Sequence, residues 1–130
     1  MTSIVGIDFG TTNSVVSRLT PDGAVHSQRF RLGSSDFDVF RTVLCFAAET
    51  RQGLSHLRHH AGPAAIGAYL DDPTDSRLIM SMKTYLAQRS FVQTRIFGRN
   101  FSLEEMIAVF LRTLLEAAGL RGPEIHVVAG

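Results

Sequence analysis

The chain has 130 residues, of which 45% are hydrophobic and 19% charged, a composition that fits one globular domain with a buried core. Thirteen basic side chains against twelve acidic ones leave a net charge of +1. Without a basic run, that balance argues against charge-driven nucleic-acid binding. Twelve of the thirteen basic residues are Arg, and Lys83 is the single lysine.

Ile4 to Phe9 is short and rich in β-branched residues, and it ends in a Gly-Thr-Thr-Asn cluster, so it reads as a buried strand. The amino terminus lacks the basic region of a secretory signal, and Asp8 interrupts its apolar run. Ser14 to Leu19 reads as a second strand. Pro21-Asp22-Gly23 supplies a turn, and Ala24 to Phe30 alternates as a third strand. Two tight connections make these three an antiparallel meander. Gly33 to Asp38 reads as a loop, followed by a fourth apolar run at Thr42 to Ala47.

Cys45 lies inside that run. A lone cysteine forms no internal disulfide, so its expected role is that of a small buried hydrophobe. The middle of the chain is less patterned. Leu54 to Leu70 and Leu78 to Leu86 are compatible with short helices, separated by Asp71-Asp72-Pro73-Thr74. On such a helix His56, His59 and His60 would share a face, a solvated one rather than a metal site, since no carboxylate or cysteine accompanies them. The uncharged stretch Ala61 to Leu70 is too short to span a bilayer, and the working expectation is a cytoplasmic protein with no membrane partner.

The clearest predicted element is a late helix. Ser102 and Glu105 have the spacing of a capping box, and Phe101 with Met106 that of a hydrophobic staple. Apolar residues recur from Leu103 to Ala118 at helical period, and Gly119 is placed to end the run. Pro123 predicts a loop and Ile125 to Val128 a strand returning to the sheet. The order predicts an α/β fold with a partly parallel sheet.

Chemistry concentrates in Asp8-Phe9-Gly10-Thr11-Thr12-Asn13-Ser14. A glycine lets the backbone turn tightly beside a bulky anion. Successive N–H groups and threonine hydroxyls offer donors to it, and Asp8 can hold Mg²⁺, largely through water. The plain alternative is a hairpin with a polar turn, against which stands the position of Asp8 inside an apolar strand. No Gly-Lys-Ser/Thr follows, so this is not a Walker-type loop.

Gly6 to Ser14 closely resembles the first phosphate motif of DnaK-type heat-shock chaperones, a motif shared with the superfamily of actin and the sugar kinases. Arg41 to Phe46 resembles the strand after that family's flexible loop, though without the usual Pro-Ser. Ser81 to Ala87 resembles the segment bearing its catalytic lysine. Phe101 to Glu105 is similar to the start of its long helix, and Glu124 to Val128 to the strand that follows. Tyr69 to Pro73, together with the Lys83 segment, is most similar to the YegD-like subgroup.

The resemblance implies a ribonuclease-H-like, actin-like lobe over residues 1–130, the first of two, in a protein that couples ATP hydrolysis to the binding of client proteins. ATP or ADP and Mg²⁺ would be its cofactors and co-chaperones its further partners. Gly10, Thr11, Thr12 and Asn13 would meet the phosphates, Asp8 would organise Mg²⁺, and Lys83 would assist hydrolysis. The second phosphate motif, the adenosine motif, a second carboxylate and the substrate-binding domain have no counterpart in these residues, so this lobe is expected to be inactive alone and to be prone to self-association. Two other expectations stay open. One is a lobe of a sugar or acid kinase, a class that usually lacks the lysine. The other is an interaction module without catalysis.

Overall fold

A computed structural model describes residues 3–90, 93–120 and 125–130. The loop expected at Pro123 and the resemblance at Glu124 lie outside these residues. The fold is mixed α/β and mostly strand, with twelve strands and three helices among the described residues.

The first sheet begins with β1 (Ser3–Phe9) and β2 (Asn13–Leu19), antiparallel, with β3 (Val25–Ser27) paired antiparallel to β2. The expected meander is therefore present, although its third strand is shorter than Ala24 to Phe30. Phe30 instead opens a separate hairpin of β4 (Phe30–Leu32) and β5 (Ser35–Phe37), inside what read as a loop. The last strand, β12 (Ile125–Ala129), runs parallel to β1. A two-residue strand, β6 (Phe40–Arg41), joins the sheet on β2.

Alternation explains β1. Val5, Ile7 and Phe9 are buried on one face, while Ile4 and Asp8 are exposed on the other. The buried face is covered by α3 (Leu103–Ala117), which buries Leu103, Met106, Phe110 and Leu114. Its start is the expected capping box, with the Glu105 amide donating to Ser102 Oγ and the Glu105 carboxylate accepting from the Ser102 amide. Phe101 and Met106 are both buried in the same core, as a staple requires. At the other end Gly119 (φ +75°) closes a Schellman motif, with the Leu120 amide bonded to the Leu115 carbonyl at 2.9 Å and that of Gly119 to the Glu116 carbonyl.

The second sheet has the order β8-β7-β9. Here β7 (Val43–Arg51) extends the fourth apolar run and pairs antiparallel with β8 (Leu54–Ala61) and with β9 (Ser76–Met80). The helix expected from Leu54 therefore starts only at Pro63, as α1 (Pro63–Asp71), and the one expected from Leu78 shrinks to α2 (Met82–Tyr85). The deciding signal is the turn Gln52-Gly53, whose residues both have positive φ (51° and 76°), the geometry that closes a tight two-residue hairpin. Phe97-Gly98 does the same between β10 (Gln93–Ile96) and β11 (Arg99–Ser102).

A glycine is required where β8 hands over to α1. A Cβ on Gly62 would lie 2.3–2.6 Å from the Phe40 ring, at a φ of +63°. That ring belongs to an aromatic series. Phe30, Phe40, Phe110 and Phe9 follow one another with centroid separations of 4.8, 5.9 and 5.7 Å, all tilted, and tie the β4–β5 hairpin to β1 through α3.

Candidate functional site: the turn after the first strand

The carboxyl ends of the parallel strands β1 and β12 meet the β1–β2 turn. The Gly10 amide donates to the Asn13 carbonyl at 3.0 Å, closing the turn. A Cβ on Gly10 would stand 2.3 Å from that carbonyl oxygen, so any other residue would force the turn open. Gly130 is stitched alongside, its amide bonded to the Ile7 carbonyl at 3.0 Å. The carboxyl ends of parallel strands are where α/β sheets commonly take their ligands.

Pairing registers fix which way the side chains face. Asp8 pairs with Val15, and Asn13 with Arg41, so Asp8, Asn13 and Arg41 project from the same face of the sheet. All three are exposed, as are Thr11 and Thr12. The opposite face carries Phe9, Ser14 and Phe40, all buried. There the Ser14 and Thr42 hydroxyls share a 2.8 Å hydrogen bond, and the Thr42 amide donates to the Thr12 carbonyl at 2.8 Å. The turn is thus anchored from beneath and open above. Sequence reasoning assigned no role to Arg41 or Thr42; the signal was a hydroxyl directly before a fully apolar run.

Lys83 lies in α2, exposed, between the fully buried Met82 and Thr84. The strand before it is fixed by register: Thr42 bonds to Thr12, and its neighbour Val43 pairs with Met80, the last residue of β9. Ser81 enters the helix with a left-handed φ of 58°, an uncommon conformation for a residue with a Cβ. Among the described residues, no hydrogen bond or ion pair joins Lys83 to Asp8 or to the turn.

No group of three or more His, Cys, Asp or Glu able to hold a metal occurs among the described residues. Around the turn, Asp8 is an exposed carboxylate and Thr11 and Thr12 are exposed hydroxyl residues.

The histidines lie on β8 rather than on a helix, so strand alternation puts His56 and His60 on one face and His59 on the other. They do not share the face expected for them. Burial pushes the His60 imidazole below its ordinary value, and the neighbouring Arg58 and His59 reinforce that direction. Cys45 is fully buried as expected, and burial pushes its thiol up, which makes it a poor nucleophile. No helix among the described residues is long and apolar enough to cross a membrane.

Comparison of the chain with family models and with curated proteins finds no match in either.

Proposed function

We propose that the chain is the first lobe of an actin-like ATPase with a ribonuclease-H-like fold, of the heat-shock chaperone type, working in the cytoplasm on client proteins with co-chaperones. The observation that carries this reading is the Gly10 turn. It closes on a contact that excludes any Cβ, at the carboxyl end of β1, with Asp8 and Asn13 on its open side.

In this reading the amides and hydroxyls of Thr11, Thr12 and Asn13 bind phosphate oxygens, and Asp8 orients the water shell of Mg²⁺. When bound, the ion neutralises charge on the phosphates. Lys83 brings an ammonium toward the transferred phosphoryl group, stabilising charge that grows during transfer.

The test is titration of the ¹⁵N-labelled chain with ATP, with and without Mg²⁺. Shifts at Gly10 to Asn13 that need Mg²⁺, and lose that need in Asp8→Asn, are expected. Absence of shifts in the turn at ATP concentrations of order 10 mM, a weak-binding limit, overturns the reading. The lobe alone is expected to hydrolyse ATP negligibly, and turnover that vanishes in Lys83→Ala would contradict that.

A second reading, an interaction module, is favoured by the open face of the first sheet. Ile4, Leu19, Val25 and Val128 lie on that face by register, and Val25 and Val128 are 68% and 64% exposed. Such a surface supports self-association or partner binding. Association that persists unchanged in Asp8→Asn and Lys83→Ala would favour it.

A further inference from the structure

The pairing of β6 sets a cation beside the glycine turn. Its two residues point to opposite faces of the sheet: Phe40 is buried and Arg41 is exposed. Thr42, next along the chain, is buried again. Arg41 therefore stands between two anchored neighbours. The Phe40 ring packs against Phe30 and Phe110, while Thr42 bonds through its hydroxyl to Ser14 and through its amide to the Thr12 carbonyl. Arg41 itself pairs with Asn13, the first residue of β2 after the turn. Its side chain leaves a rigid base on the open face, alongside the exposed Thr11, Thr12 and Asn13.

Among the described residues, no ion pair or side-chain hydrogen bond engages Arg41. Asp8, on the same face, is free in the same sense. β2 lies between their strands, so two strand spacings, about 10 Å, separate the two backbones. Asp38, the acidic residue nearest in sequence, is held by Arg29 at 3.2 Å. Other arginines on strands are occupied: Arg51 and Arg58 hold Glu49, and Arg77 donates to the Arg95 carbonyl at 2.8 Å. The open face thus has a carboxylate on the β1 side of the turn and an unneutralised guanidinium on the β6 side. A polyphosphate carrying a cation has the complementary order, with the ion at one point of the chain and bare oxygens at another.

We propose that Arg41 binds phosphate oxygens of the polyphosphate on the Gly10 turn, from the β6 side, while Asp8 serves the ion from the β1 side. The inference rests on the nucleotide reading above and adds a residue to it. The planar guanidinium donates two parallel hydrogen bonds to two oxygens of one phosphate, which an ammonium cannot match. Because the pair forms on an exposed face, the contact weakens as salt is added.

The test is titration of the ¹⁵N-labelled chain with Mg²⁺–ATP, read at the Arg41 Nε–H signal and at the amides of Gly10 to Asn13. That signal is assigned by its loss in Arg41→Lys. It is expected to shift saturably together with the amides, and to stay in place with adenosine, which has no phosphate. Arg41→Gln is expected to weaken binding roughly tenfold, with Arg41→Lys between it and the native chain. Arg112→Gln removes the same charge from an exposed position on α3 and should leave binding unchanged. An unmoved Nε–H signal in a chain whose turn amides shift overturns the proposal and leaves the nucleotide reading standing. So does undiminished affinity in Arg41→Gln, or an equal loss in Arg112→Gln, which would make the effect one of net charge. Turn amides that stay in place at ATP concentrations on the order of 10 mM overturn both.

Discussion

At the scale of single residues, the buried hydroxyl pair Ser14–Thr42 is the most economical control on the site. It fixes β6 and β7 under the turn without touching the turn's open side. Thr42→Val keeps the shape but leaves the Ser14 hydroxyl buried and unpaired, an expected loss of about 1–3 kcal/mol in urea unfolding. Adding Ser14→Ala should recover much of it, which a double-mutant cycle would read as coupling. His60 gives a second expectation. Its folded value lies below the ordinary 6.5, so the unfolded chain takes up a proton first as pH falls. Stability is therefore lost as pH drops below about 6.5, and His60→Gln should flatten the fall in melting temperature over that window. Asp8 and Gly10 were legible in the sequence because each breaks a pattern, a charge within an apolar strand and a glycine where the strand ends. Arg41 was not, because an arginine at a strand end looks like any of the other eleven until pairing shows its neighbour is Asn13.

Among elements, the long helix was the most legible, since its cap, its apolar face and its terminating glycine all point the same way. Ser102→Ala removes the acceptor for the Glu105 amide and should cost about 1 kcal/mol in thermal unfolding, with Ser102→Asp close to neutral. The middle was misread for a physical reason. β8 carries His and Arg where a half-buried strand normally alternates, because only its last residue, Ala61, is buried. Its strand character comes from the Gln52-Gly53 turn and from eight paired positions along β7. The strand β5 was hidden similarly, in a hairpin of three-residue strands too short to show a period.

For the whole molecule, one core joins the first sheet, α3 and the start of β7, and β1 lies at its centre with a partner strand on either side. Native-state hydrogen exchange should therefore find the slowest amides in β1, at the level of global unfolding. The hairpins β4–β5 and β10–β11, each a two-stranded sheet, should open at lower free energy. Slower exchange in either hairpin than in β1 would contradict this arrangement. The α/β class and the parallel return of the last strand were readable from element order, because a strand following a long helix commonly closes onto the first.

The pairing of β1 with β12 also bears on how the chain is made. β1 leaves the ribosome before the other elements described here, and β2 can pair with one of its edges almost at once. Its other edge waits for a strand more than a hundred residues downstream. At about 5–20 residues per second, that edge stays unsatisfied for roughly ten seconds. During that interval a nascent Ile-Val-Gly-Ile segment can pair with neighbouring chains, so soluble yield should depend on translation speed and on the availability of folding helpers more than the stability of the finished fold implies.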